Sequence, residues 1–317
     1  MVFLQESILK VVAYFDVFDY PVTIEEIKFF LDQPCKDDEL QTALYTLIEK
    51  RVLFSSGNFY SARNDHLIII RRMEGNHSAK KEIRKARKVS AFLTWFPFIK
   101  GIAVSGSLSK SFAYKDSDLD FFIITNAGRL WLARFFFILF YRIISFTGMK
   151  GWFCLNYFIA ENSPEIEEKN IYTATEIATL LPCHGSDVFK SFFETNNWAH
   201  DFFPNHLPKK YEGKNYSPKY SKRFTEWLLN NKFGDRLDTV IMHFYKRRWK
   251  KLSALNIFTE KGFQLGGMVV SKDVCKPFPQ HFQQTILNRF ENKFRMLKSK
   301  MTRGIPFEEA VLLKKPA

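Results

Sequence analysis

Acidic residues and cysteines are both scarce in this chain. Its 317 residues hold 33 Asp and Glu against 47 Lys and Arg, giving a formal net charge of +14 and a pI of about 9.5. That imbalance favours polyanionic partners (nucleic acid, nucleotide phosphates or anionic lipid) and carries no information about fold. Cys35, Cys154, Cys183 and Cys275 are scattered, with no C-x-x-C pair. Neither a disulfide-stapled domain nor a structural zinc site has a basis here. The start, MVFLQESILKVVAYF, lacks a basic n-region and a small-residue cleavage site. No signal peptide is read there, and a cytoplasmic protein is expected. No internal repeat is evident.

Aromatic side chains are abundant: 35 Phe bring the aromatic share to 17%, so a core packed with rings is expected. The length allows two or three domains. One run, RLWLARFFFILFYRIISFTG from Arg129 to Gly148, is long and apolar enough to resemble a membrane span. Arg134 and Arg142 interrupt it, and they are costly at mid-bilayer. With Ile138 and Ser145 they fall near one helical face, leaving the aromatic remainder to pack. A helix buried against a sheet is therefore preferred, with peripheral membrane contact as the alternative.

Residues 1–66 read as three helices closed by a hairpin. ESILKVVAYFDVF has helical spacing, and Thr23 with Glu26 forms a capping box ahead of IKFFL. Asp37 or Asp38 is the expected cap of a third helix with Leu40, Leu44, Leu47 and Ile48 on one face, and VLFSSGNFYSA reads as two strands around a turn. This order resembles a winged helix-turn-helix. Its third helix opens Asp37-Asp38-Glu39, the wrong charge for a phosphate-lined groove, so protein contact is preferred to DNA reading. Residues 67–97 form a basic helical connector containing RRMEGNHSAKKEIRKARK, either a solvated face or a basic collar near a phosphate site. Residues 98–163 carry apolar runs of strand type, and 164–317 read as mostly helical.

The chemistry concentrates in VSGSLSKSFAYKDSDLDFFII, which begins at Val104. Residues two apart on a strand project to one face, so Asp118 and Asp120 point together. Two carboxylates that close call for a cation between them, and a hard divalent ion with oxygen ligands, Mg²⁺ above all, suits them. Gly106 lets the backbone approach a ligand, and N–H groups with the Ser107 hydroxyl can hold phosphate oxygens.

Gly-Ser followed by D-x-D, with Asp118 twelve positions after Gly106, resembles the signature of the DNA polymerase β-like nucleotidyltransferase superfamily, in the form seen in its minimal bacterial and archaeal members. The match covers roughly residues 98–160. The resemblance implies an α+β fold: an N-terminal winged helix, a central nucleotidyltransferase α/β domain (98–163) with a short mixed sheet, and a helical C-terminal region. It implies a nucleotide site at Gly106 and Ser107, with Lys110 offsetting phosphate charge, and Mg²⁺ or Mn²⁺ on Asp118 and Asp120. The activity implied is transfer of a nucleoside monophosphate from NTP to an acceptor hydroxyl. Active members add a third acid on a neighbouring strand; here the central position of FCLNYFI is Asn156, which cannot accept a proton. Glu161 and Glu176 are the substitutes to consider. A non-catalytic nucleotide-binding regulator with the winged helix as output is the alternative.

Other features weigh less. Cys183-His184 has no matching second pair, and His243 reads as a surface or packed residue. The basic run Lys246–Lys251, with Tyr245 and Trp249 interleaved, suits a solvated face better than a single-stranded nucleic-acid platform. A small-molecule or protein acceptor is expected ahead of RNA.

Overall fold

Helical spacing of apolar residues makes α1 (Val2–Asp16), which buries Ile8, Leu9, Val12 and Phe15. The computed structural model describes residues 2–114, 118–145, 153–206, 220–254, 268–276 and 280–303. After α1 comes α2 (Ile24–Phe30), where the Thr23 hydroxyl accepts from the Glu26 N–H at 3.3 Å and Glu26 Oε2 accepts from the Thr23 N–H at 2.9 Å. In α3 (Asp37–Glu49) the expected cap is displaced: Lys36 is the N-cap, and Asp37, Asp38 and Glu39 sit in the first turn. Carboxylates there favour the positive end of the helix dipole, and Glu39 Oε2 accepts from the Lys36 N–H at 3.4 Å. The buried stripe is Leu40, Ala43, Leu44 and Leu47. Strands β1 (Phe54–Ser56) and β2 (Phe59–Ser61) pair antiparallel, and Gly57 takes the left-handed conformation the tight turn requires (φ +58°). An isolated bridge, Val22 to Tyr60, ties the hairpin to the start of α2.

The chain divides into two compact units. One comprises residues 1–73, 200–207 and 285–317, and the other residues 74–199 and 208–284. The first therefore draws on both ends of the chain. Within it the Phe290 ring meets Tyr14 at 6.0 Å, and Lys293 pairs with buried Asp16. The Arg72 guanidinium lies 3.8 Å over the Tyr20 ring and pairs with Glu26 at 2.6 Å. It belongs to α4 (His66–Leu93), so part of the expected basic connector is core.

The second unit is organised by β3 (Ile99–Val104), the short helix α5 (Gly106–Ser109), β4 (Leu119–Thr125), α6 (Leu130–Ser145) and β5 (Phe153–Ala160). Next follow α7 (Ile171–Thr179), β6 (Leu181–His184), α8 (Ser186–Thr195), α9 (Trp198–Phe202), α10 (Tyr220–Leu229) and α11 (Lys232–Ala254). The series closes with β7 (Val269–Val270), β8 (Val274–Lys276) and α12 (Gln280–Arg303). Six strands form one mixed sheet in the order β6-β3-β4-β5-β8-β7. Among the described residues only β4 and β5 pair in parallel, joined by the connection that contains α6. The fold is thus mixed α+β, with twelve helices among the described residues.

The stretch beyond residue 164 departs from the helical reading by giving the sheet three strands. Leu181–His184, the end of an apolar run followed by the Cys-His pair, is an edge strand on β3. An edge tolerates Pro182, and four residues are too few to display alternation.

On one sheet face Phe122 stacks on Tyr157 at 5.0 Å and meets Phe192 of α8 at 5.0 Å. On the other, Phe121 and Ile123 join Leu130, Trp131 and Phe137 of α6, with α11 packed beside them. The expected polar face of α6 is inverted in part. Arg134 is buried, donating to Cys275 Sγ at 3.1 Å beneath the Tyr245 and Trp249 rings, while Phe135, Leu139 and Ile143 are exposed. Among the described residues no helix is long and apolar enough to cross a membrane.

Candidate functional site

β3 runs into the site as a buried apolar strand and ends at Val104. The Ser105 N–H then donates to the Asp120 carbonyl at 2.9 Å, fixing the turn against β4. Gly106 adopts φ +67°, and a Cβ there would overlap Asp120 Oδ2. The Asp120 carboxylate thus rests directly against the glycine backbone, in space that only glycine leaves open. Ser107 is exposed at the first turn of α5. Asp118 is exposed and is the last residue before β4 begins. Ser117 lies outside the described residues.

The turn is gripped on two sides. Lys110 Nζ donates to the Gly106 carbonyl at 3.1 Å and to Glu176 Oε1 at 2.8 Å, which brings α7 to the site. Ser109 Oγ also donates to the Gly106 carbonyl, at 2.8 Å, and reaches Thr179 Oγ1 at 3.4 Å. On the other side the Ala113 N–H donates to the Gly75 carbonyl of α4 at 3.2 Å. The Phe112 ring fills the space a Cβ at Gly75 would need. That close contact accounts for a glycine within a helix, where it otherwise costs about 1 kcal/mol.

The structure therefore brings together Gly106, Ser107, Lys110 and Asp120, with Asp118 two residues before Asp120. It also adds Glu176 through Lys110. Glu176 and Lys110 are 66 positions apart, and no spacing rule connects them. Glu161 is elsewhere: its N–H bonds to the Thr125 carbonyl, and its carboxylate lies 3.6 Å from Lys100. Asp120 and Thr125 are five strand steps apart, about 17 Å at strand rise, so Glu161 does not replace the third acid.

Asn156 is placed by its backbone in β5. The ladder runs Asp120 to Cys154 and Phe121 to Leu155, then jumps to Phe122 and Tyr157, leaving Asn156 as the extra residue of a bulge. Bulges commonly re-aim a side chain beside functional sites. The strand contributes no carboxylate between Phe153 and Ala160. Among the described residues no group of three or more His, Cys, Asp or Glu is arranged to hold a metal.

A cavity of 470 Å³ opens at the other end of β3, lined by Lys100, Asn126, His184, Ser186, Lys222 and Glu226 among others. Two of its charged groups are committed to the fold, while Lys100 and Asp187, which also line it, are exposed. Lys222 Nζ donates to the carbonyls of Thr94 (3.3 Å) and Ile99 (2.7 Å), and burial lowers its pKa. Glu226 Oε1 accepts from the Phe98 N–H at 2.6 Å. Cys183 is buried, which raises its pKa, and exposed His243 lies 2.8 Å from the Thr239 carbonyl.

No family model, no curated protein and no solved structure matches the chain.

Proposed function

We propose that the chain is a nucleotidyltransferase that transfers a nucleoside monophosphate from NTP to an acceptor hydroxyl, within the polymerase β-like superfamily its motif resembles. The observation that carries this reading is the contact of Asp120 Oδ2 with the Gly106 backbone. It joins the two halves of the motif at one point, fourteen positions apart in the chain. A solvated acidic pair on an ordinary surface has no need of that contact.

The donor set fits Mg²⁺. One or two carboxylates with water and phosphate oxygens satisfy its octahedral shell, and Asp118 and Asp120 would hold it, with Mn²⁺ as the substitute. The ion would supply charge neutralisation at the phosphates. The chain's own groups do the positioning. The Gly106-Ser107 backbone and the Ser107 hydroxyl take phosphate oxygens. Lys110, anchored on the Gly106 carbonyl and Glu176, keeps positive charge beside the turn. In the reaction the acceptor oxygen bonds to the α-phosphorus as its proton passes to solvent, the bond from the α-phosphorus to the oxygen bridging to the β-phosphate breaks, and pyrophosphate leaves.

Residues 1–66, with three helices and a hairpin, support a winged helix used for protein contact. Exposed Asp38, Glu39 and Glu49 on α3 oppose a duplex groove.

The second reading, a nucleotide-binding regulator without turnover, is favoured by one observation: β5 offers Asn156 and no carboxylate beside Asp120. Incubation with each labelled NTP, Mg²⁺ or Mn²⁺ and cell extract distinguishes the two. Transfer by the wild type, lost in Asp118→Ala and Asp120→Ala, supports the enzyme. Metal-dependent binding without transfer supports the regulator. An Asp120→Ala protein that binds and transfers as well as the wild type removes both.

A further inference from the structure

Helix α10 is amphipathic in the reverse of the usual sense. Its inward side carries Lys222 and Glu226, bonded to the backbone of Thr94, Ile99 and Phe98. Its outward side carries Tyr220, Phe224, Trp227 and Leu228, at i, i+4, i+7 and i+8, with exposures of 90%, 62%, 74% and 51%. Phe224 and Trp227 lie 6.1 Å apart, ring to ring. α11 also carries exposed apolar residues, beside an ordinary buried stripe. Leu237, Ile241, Tyr245 and Trp249 pack inward, while Phe233, Val240 and Phe244 stand exposed along the flank of that stripe. Neighbouring α6 adds exposed Phe135, Leu139 and Ile143. An accumulation of large exposed apolar side chains on neighbouring helices is the kind of surface that marks an interaction site.

The charges around these stripes identify the partner. From Tyr220 to Ala254 the basic residues other than Lys222 are all exposed: Arg223, Lys232, Arg236, Lys246–Arg248, Lys250 and Lys251. The same span holds three acids, each turned to other work. Glu226 accepts from the Phe98 N–H, Asp235 pairs with Arg129 at 2.5 Å, and buried Asp238 accepts from the Leu132 N–H. The outward face thus combines aromatic and aliphatic side chains with uncompensated positive charge. We propose that α10 and α11 form a docking surface for an anionic lipid bilayer, lying in its interface without crossing it. Aromatic rings seat at the headgroup level, and each basic side chain near an anionic surface contributes about 1 kcal/mol. Leu228, Val240, Leu139 and Ile143 gain by entering acyl chains and have no use on a nucleic acid, whose bases stack on rings. A second copy of the chain would bring like charge against like charge.

Sedimentation of the full chain with vesicles tests this. Binding is expected to phosphatidylcholine vesicles containing about 30% phosphatidylglycerol at about 0.1 M salt, with little binding to pure phosphatidylcholine. Phe224→Ser with Trp227→Ser, and separately Arg247→Gln with Lys251→Gln, should each weaken binding roughly tenfold or more. All four positions are exposed, so circular dichroism should be unchanged. The wild-type tryptophan emission should shift to shorter wavelength on anionic vesicles, and this shift should shrink in the aromatic variant. Failure to sediment with anionic vesicles overturns the proposal, as does equal binding by both variants. A dimer, or an RNA complex, that the aromatic substitutions abolish in a protein without vesicle binding assigns the face to that partner instead.

Discussion

The two ends of the central strands differ in what they leave available. At one end, where β3 runs out and β4 begins, Asp120 rests on Gly106, with Ser107 and Asp118 exposed beside it. At the other, a cavity is walled by charged groups already bonded to the backbone, Lys222 on two carbonyls and Glu226 on an N–H. The end without the cavity holds the donors that the proposed metal and phosphate would use, while at the end with it Lys222 and Glu226 hold the backbone together. Site and cavity are therefore separate questions, and donor chemistry decides the first.

The strongest way to sharpen this contrast is Gly106→Ala. The new Cβ would overlap Asp120 Oδ2, and a non-glycine residue at φ +67° costs about 1–2 kcal/mol in addition. Displacing that carboxylate should lower Mg²⁺–nucleotide affinity roughly 100-fold, about 3 kcal/mol, measured by calorimetry, and end transfer. Unchanged affinity would mean the contact is packing alone.

Much of this was legible in the sequence because it is local. The Thr23–Glu26 capping box, the 54–61 hairpin and the strand carrying Asp120 each follow from residues a few positions apart. What escaped is non-local. Lys110 meets Glu176 across 66 positions, and Gly75 accommodates Phe112 from the loop after α5. Three short strands beyond residue 164 are defined only by their partners in the sheet. Arg134 shows a different failure: charge was assigned to the solvent side, whereas rings and a sulfur can bury a guanidinium. The outward aromatic stripe of α10 has helical spacing, but spacing alone does not say which side faces water.

A second test concerns Asp238, at the far end with the start of α6. Burial pushes its pKa up to about 6, against the opposing pull of the Leu132 and Trp131 N–H groups, Arg129 and Lys272. The folded chain therefore holds this proton more tightly than the unfolded one. Its contribution to stability is fully present below about pH 4 and is lost as pH rises through 6. Asp238→Asn should remove that slope and raise stability at pH 7.5 by up to about 3 kcal/mol, read from denaturant unfolding at several pH values. Ion-paired Asp19, whose pKa is held down by Arg63 and Arg71 against the opposing effect of burial, titrates with the opposite sign and is common to both proteins. A variant that keeps the wild-type slope would place the titrating group elsewhere.

The smallest expected effect is at Glu226, and it bears most directly on the difference between the ends. Phe98 is buried and held at φ +64°, a left-handed conformation uncommon for a bulky residue. Two bonds hold it there: its N–H donates to Glu226, and its carbonyl accepts from the Asn126 N–H at 2.9 Å. Glu226→Ala removes the first and leaves a buried donor unsatisfied, at about 2 kcal/mol. Thermal unfolding should fall by several degrees, while Mg²⁺–nucleotide affinity should match the wild type. Glu226→Gln retains an acceptor oxygen and should recover most of the loss. If Glu226→Ala instead weakens nucleotide binding with stability intact, the cavity is the ligand site and the assignment of the two ends is reversed.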